Sequence, residues 1–300
     1  MIDVLVIGGD SIIGKALYRE LEATGQTITV TSRRENHRPT DVFLDLTKPD
    51  RDWPMLPKAK VWVLAAAVTR LAACREDPEA SHQINVVAVE SLVKQAAAQG
   101  AQVIFLSSDK IFDGSRPHRL INDEPCPLSE YGRQKACAEK IVLNASRDNL
   151  VIRLTKVLSP GDALLRSWRD SLMQDEPIAS FTDMTLAPVS IETVIIGISR
   201  AITQKISGIL QFSGPEDVSY ATTDRHYAIL LGARLENVTP ANASKRGIPA
   251  EERPTFTSLD TARATEALSV EFAPLNALLE NMLGHRQSQH ANETSNTYGG

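Results

Sequence analysis

Ile2-Asp3-Val4-Leu5-Val6-Ile7-Gly8-Gly9-Asp10-Ser11-Ile12-Ile13-Gly14 decides the fold. The apolar run Ile2–Ile7 ends on two glycines and reads as a buried strand. From Ser11 to Thr24 the residues Ile12, Ile13, Leu17 and Leu21 recur at helical spacing, and Gly25 stops the pattern. A Gly-rich turn directly between a strand and a helix is the setting in which a dinucleotide is held. Gly8 permits the tight turn and Gly14 a close approach of helix and strand. The helix N-terminus, at Ile12 and Ile13, offers N–H groups and the positive end of its dipole to a pyrophosphate. The usual spacing has a glycine where this chain has Ser11, whose hydroxyl is expected either to donate to that phosphate or to crowd it.

Outward from this stretch, strands are predicted at Thr27–Thr31, Val42–Leu44, Val61–Ala67, Gln102–Leu106 and Leu150–Leu154. Helices are predicted at Pro78–Gln99 and at Glu130–Leu143, the second with Ser129 as its N-cap. Alternating strands and helices mean an α/β fold with a doubly wound parallel sheet, and the all-apolar strands agree with burial on both faces. Past Ser159 the alternation weakens. Ala163–Met173, Ile191–Thr203, Tyr220–Leu231, Leu259–Leu268 and Pro274–Leu283 look helical, and Gly208–Phe212 looks like a strand. The expected organisation is a dinucleotide-binding domain at 1–158 and a smaller, mainly substrate-binding region at 159–285 with segments returning to the first. A polar tail without periodicity at 286–300 is expected to be disordered.

Composition narrows the function classes. The 300 residues are 42% hydrophobic and 23% charged, an ordinary globular balance. A net charge of −5 argues against a general nucleic-acid binder. Cys74, Cys126 and Cys137 are scattered, without the spacing of a disulfide framework or a zinc site, so no metal is expected. No apolar run reaches the roughly 18 residues of a membrane span. The N-terminus lacks a basic segment of signal-peptide type. The expected location is the cytoplasm.

The second strand leads into Ser32-Arg33-Arg34. NAD sites usually place an acid here, about 20 residues past the glycines, to hold the ribose 2′-OH. A hydroxyl and two arginines suit a 2′-phosphate instead, so NADP(H) is predicted ahead of NAD(H). Asp45-Leu46, after the third strand, is placed to meet the adenine edge.

Tyr131 and Lys135 stand four residues apart on one predicted helix and share a face. A nearby cation lowers a phenol's pKa, and a phenol so tuned can protonate an alkoxide as hydride arrives. Ser107-Ser108 end the fifth strand, where open α/β sheets bind ligands, and Ser108 can hydrogen-bond a carbonyl oxygen.

Further motifs join these: Ala65-Ala66-Ala67, Ile84-Asn85, Ser107-Ser108-Asp109-Lys110-Ile111-Phe112-Asp113-Gly114, Tyr131-Gly132-Arg133-Gln134-Lys135, Arg153 and, farther on, Ala187-Pro188-Val189 and Ser258-Leu259-Asp260. With them the chain resembles an extended short-chain dehydrogenase/reductase of Rossmann fold, of the dTDP-4-dehydrorhamnose reductase type, to about residue 285. The resemblance implies hydride transfer to a 4-keto carbon on a nucleotide-linked deoxysugar. It implies Tyr131 as acid, Ser108 orienting the carbonyl, and Lys135 holding the nicotinamide ribose while lowering the Tyr131 pKa. Ala65, Ala66, Ala67 and Asn85 would line the cofactor path. Family members often carry Tyr where this chain has Lys110. Arg153, Lys156 and Arg166 either face a diphosphate or are solvated surface.

The expected partner is a small-molecule sugar nucleotide, with a homodimer left open. Three other readings stay open. A 4-epimerase shares the same triad. A 4,6-dehydratase is disfavoured by the long stretch Ile111–Glu130 and by the absence of Asp-Glu after the hydroxyl. A regulatory subunit like the methionine adenosyltransferase accessory protein would bind NADP and a partner without turnover.

Overall fold

In the computed structural model residues 2–34 and 41–283 are described, and the tail expected at 286–300 lies outside them. Seven parallel strands form the central sheet: β1 (Ile2–Ile7), β2 (Ile28–Ser32), β3 (Val42–Phe43), β4 (Ala59–Leu64), β5 (Gln102–Ser108), β6 (Leu150–Leu154) and β7 (Gly208–Phe212). Their spatial order is β3-β2-β1-β4-β5-β6-β7. The chain runs outward from β1 to β3 and returns to pair β4 against the other side of β1. That reversal makes the crevice beyond the carboxyl ends of β1 and β4 the place where such sheets bind ligands.

Alternation along each strand splits the core in two. Val4 and Val6 of β1 face a cluster that holds Leu17, Leu21, Val194 and Ile198, whereas Leu5 and Ile7 face one that holds Trp62, Phe105, Leu92, Val93 and Val142. The first layer is built by α1 (Ile12–Ala23) and by Ile191–Thr203 from the second half of the chain.

The predicted helix over 78–99 is a series of pieces. It starts earlier, with α2 (Leu71–Glu76), and continues through α3 (Pro78–His82), a π-helical turn at Gln83–Val87, and α4 (Ala88–Ala98). Asp77 caps α3 by accepting from Ala80 N at 3.0 Å, which separates it from α2. β4 stops at Leu64, short of the predicted Ala67, because Asn85 in the π-turn takes both the N–H and the carbonyl of Val68. α5 (Glu130–Ala145) starts as predicted, with Ser129 Oγ accepting from Gly132 N.

Beyond β6 the chain forms α6 (Ala163–Met173), α7 (Ile191–Thr203), α8 (Tyr220–Leu231), α9 (Ala262–Leu268) and a helix over 275–283. Three two-stranded ribbons join them, Val157–Leu158 with Val189–Ser190, Thr185–Leu186 with Val218–Ser219, and Ile178–Phe181 with Val238–Ala241. α9 begins three residues later than predicted. Leu259 is held in an extended bridge to Arg119, and its N–H donates to Ser213 Oγ at 3.1 Å. A separate core unites Leu165, Trp168, Leu172, Tyr227, Leu275 and Leu279. Among the described residues no helix is long and apolar enough to cross a membrane.

Candidate active site

The Gly-rich turn is a backbone-lined cradle. Gly8 has φ +95, and a Cβ there would lie 2.7 Å from Ala66 N, so the Ala65–Ala67 segment passes directly over it. A Cβ on Gly14 would fall on the Gly8 carbonyl oxygen, so only a glycine lets α1 approach the backbone that directly continues β1. Gly8 N donates to Thr31 Oγ1 at 3.0 Å and Gly9 N to the Thr31 carbonyl at 2.8 Å, which pins the turn to β2. Ser11 departs from both expectations for it. Its hydroxyl donates to the Gly8 carbonyl at 2.8 Å and accepts from Gly14 N at 2.9 Å, so it caps α1 and is already engaged inside the turn. Ile12 and Ile13 head α1, where backbone N–H groups have no helical carbonyl one turn back. Ile12 is 55% exposed, while Ile13 packs on the core. A cradle without side chains at its closest points, at a helix N-terminus, fits a dinucleotide pyrophosphate.

At the end of β2, Ser32 Oγ donates to Asp10 Oδ2 at 2.7 Å and accepts from Arg34 N at 3.0 Å. Arg33 and Arg34 are exposed. Asp45 accepts from the Thr47 hydroxyl at 2.7 Å and from its N–H at 3.0 Å. That hydroxyl first, then the Thr47 N–H, Lys48 and Arg33, hold its carboxyl below the usual value against partial burial. Leu46 packs at the edge of the second core cluster.

Ser108, Tyr131 and Lys135 meet at the same carboxyl edge of the sheet. The Ser108 hydroxyl donates to Asp109 Oδ1 at 3.0 Å, and Asp109 Oδ2 accepts from Lys110 Nζ at 3.1 Å. Tyr131 is buried, with the Ser108 hydroxyl beside its phenol. Burial, and next the Asp109 carboxylate, push its phenol well above the usual value, with the Ser108 hydroxyl pulling the other way. This corrects the expected lowering by Lys135. That ammonium is itself buried, 5.9 Å from the Tyr131 ring centre, and donates to the Leu106 carbonyl at 2.7 Å. Burial pulls Lys135 down to about 8, opposed by Glu139 and Cys74.

Asn85 ties the two halves of this site. Besides its two bonds to Val68, it donates to Gln134 Oε1 at 2.8 Å. Gln134 in turn donates to Ser81 Oγ at 2.9 Å, which ties the segment beside the cradle to the helix carrying Tyr131.

Arg153 does not face a diphosphate. It is 3% exposed and pairs with Glu139 at 2.9 Å, with further bonds to the Ile121 carbonyl and Gln211 Oε1. Lys156 pairs with Asp162, and Arg166 is exposed.

Asp109, quoted in the sequence motif without a role of its own, links Ser108 to Lys110. Tyr220, not singled out from the sequence, begins α8 with its ring edge-on to Trp168 at 6.2 Å. The Tyr220 phenol is pushed up to about 12, first by burial and then by Asp109, Asp162 and Asp224. A small cavity is lined from both halves by Asp109, Lys110, Ser129, Glu251, Pro254 and Phe256. No local signal marks Tyr220, because its neighbours come from segments far apart in sequence.

A doubly wound sheet, a Gly-rich cradle at its switch point and a Tyr-x-x-x-Lys helix beside a strand-end serine define an extended short-chain dehydrogenase/reductase, a class of NAD(P)-dependent oxidoreductases. The family described as RmlD substrate binding domain matches residues 2–288, and the chain belongs to it. The chain is 26% identical over 270 residues to a dTDP-4-dehydrorhamnose reductase of Mycolicibacterium smegmatis, covering 88% of this chain and 80% of that protein. It is 34% identical over 154 residues to methionine adenosyltransferase 2 subunit beta of Mus musculus, a match spanning 50% of this chain and 46% of the mouse protein. Among solved structures, a Bacillus anthracis dTDP-4-dehydrorhamnose reductase in complex with NADP superposes with a TM-score of 0.82 at 17% identity, covering 95% of this chain and 98% of that one.

Proposed function

We propose that the protein reduces the 4-keto group of a nucleotide-linked deoxysugar, with NADPH or NADH as reductant and the Arg33-Arg34 pair favouring NADPH. The observation that carries this reading is the buried meeting of Tyr131 and Lys135 with Ser108, at the sheet edge that also bears the cradle. A phenol that holds its proton is in the right state to donate to an alkoxide. The family membership and the reductase relative support the substrate class.

The cradle at Gly8, Ser11, Ile12, Ile13 and Gly14 would hold the pyrophosphate, with Ser32, Arg33, Arg34, Asp45 and Leu46 toward the adenosine and Ala65, Ala66, Ala67 and Asn85 along the nicotinamide arm. When bound, the dihydronicotinamide supplies the hydride. Ser108 turns its hydroxyl from Asp109 to the substrate carbonyl, Tyr131 gives that oxygen its proton, and Lys135 holds the ribose. Substrate contacts are assigned to the region after residue 158, in a cytoplasmic enzyme.

The test is the decay of NADPH absorbance with dTDP-4-keto-6-deoxyglucose and its epimerised form, made in situ. Wild type is expected to turn over, and Tyr131→Phe to lose roughly three orders of magnitude in kcat with cofactor affinity nearly intact. An active Tyr131→Phe variant removes Tyr131 from the acid role.

A second reading, a cofactor-binding regulatory subunit, is favoured by the methionine adenosyltransferase match over half the chain. NADPH binding without turnover, together with capture of a methionine adenosyltransferase catalytic subunit, would select it.

A further inference from the structure

The Gly-rich turn carries a carboxylate that the proposed reduction leaves unused. Asp10 Oδ2 accepts from Ser32 Oγ at 2.7 Å, and its Oδ1 lies 3.6 Å from Arg34 Nε. The Asp10 side chain is 31% exposed, so it reaches solvent at the crevice while remaining anchored. Ser32 is the last residue of β2, the position from which an acidic side chain ordinarily reads the cofactor's ribose 2′-OH. Among the described residues of that strand end, Ser32, Arg33 and Arg34, none is an acid, yet a carboxylate stands there, delivered from the preceding turn.

Arg34, one of the two arginines read from the sequence as suiting a 2′-phosphate, is faced by the Asp10 carboxylate, which offsets its charge. That pairing weakens what the arginine pair implied.

We propose that Asp10 is the specificity-determining residue for the adenosine ribose: its carboxylate accepts from the 2′-hydroxyl of NADH and opposes the 2′-phosphate of NADPH. The preference for NADPH is therefore small, and NADH is also held. This rests on the reading that the cradle binds a nicotinamide dinucleotide. The carboxylate does both things for one electrostatic reason. A charged acceptor makes a stronger hydrogen bond to a neutral hydroxyl, and the same charge repels a phosphate at contact distance.

Asp10→Asn keeps the size and an acceptor for Ser32 while removing the charge. The experiment is an equilibrium titration of the full chain with NADH and with NADPH, followed by dihydronicotinamide fluorescence, on wild type, Asp10→Asn and Asp10→Ser. Each variant's melting curve is recorded alongside. In wild type the two dissociation constants are expected to lie within about ten-fold of each other. In Asp10→Asn the NADPH constant should fall and the NADH constant rise, moving their ratio by on the order of ten-fold toward NADPH, with less movement at high salt. Asp10→Ser should move it the same way and guards against a poorly folded Asn variant. An unchanged ratio, or equal weakening of both cofactors, overturns the proposal alone and leaves Asp10 as a brace of the turn. Wild type binding neither cofactor overturns the underlying reading and the proposal together.

Discussion

The two halves of the molecule treat a buried charge differently. Up to β6 the deeply buried ionised groups are held by partners: Arg153 meets Glu139 at 2.9 Å, and Lys135 meets the Leu106 carbonyl at 2.7 Å. In the second half the buried Asp162 is likewise paired, with Lys156 at 3.1 Å, but Asp224, on α8, is 1% exposed and among the described residues neither of its carboxylate oxygens has a hydrogen-bond partner. The Ser180 hydroxyl stands beside it without reaching hydrogen-bond geometry. The difference follows from architecture. A parallel sheet sets side chains of adjacent strands in register, as Ser107 with Arg153 and Arg153 with Gln211, so polar partners can be supplied from either side. Ribbons with strands of two to four residues supply no such lattice, and a helix packed on them depends on single contacts.

The largest effect belongs to the paired half. Arg153→Met leaves Glu139 buried without a partner and is expected to cost about 3–5 kcal/mol of stability, measured by denaturant unfolding. Arg153→Met with Glu139→Leu should recover most of that loss. If the single variant loses less than about 1 kcal/mol, the contrast between the halves fails at its stronger end.

Asp224 should behave in the opposite sense. Burial raises its carboxyl to about 7. The folded state therefore holds this proton more tightly than the unfolded chain, so stability falls as pH rises from about 4 to about 7 and stays reduced above that. Asp224→Asn removes the cost. At pH 8 the variant should be more stable than wild type by at most about 4 kcal/mol, and the gap should close below pH 4. Thermal melts across pH decide it; a variant less stable at pH 8 would mean that the carboxylate has an ionic role in α8.

The smallest effect sharpens the account of the cradle. Ser11→Ala removes the α1 cap and should cost about 1 kcal/mol. Because the hydroxyl is engaged within the turn, cofactor affinity should change by less than about three-fold. A larger loss of affinity would restore the phosphate contact expected from the sequence.

Much of the fold was legible because the first half is periodic. Ile2–Ile7 and Leu150–Leu154 are β1 and β6 as read, and the doubly wound sheet follows from the alternation around them. Tyr131 and Lys135 share a face of α5 because their spacing is close to one turn. Other features were hidden. The π-turn at Gln83–Val87 carries Asn85, which grips Val68 seventeen residues away, and no helical pattern announces that pairing. Arg153 was expected either at a diphosphate or on solvated surface, and its burial depends on Glu139 and Gln211 arriving beside it. Asp10 looked like a loop residue until β2 brought Ser32 within 2.7 Å.

By itself, then, the sequence determined the layers, the cradle and the register of Tyr131 with Lys135 on one helix. These rest on neighbours within a few residues, where backbone geometry dictates what can face what. The tertiary structure alone decided the charge environment: burial and then Asp109 raising the Tyr131 phenol, Lys135 turned to Leu106, Asp10 standing at the end of β2, and Asp109 linking Ser108 to Lys110. Electrostatic neighbours are set by distance in space and by the water that packing removes, and neither is written in the order of residues along the chain.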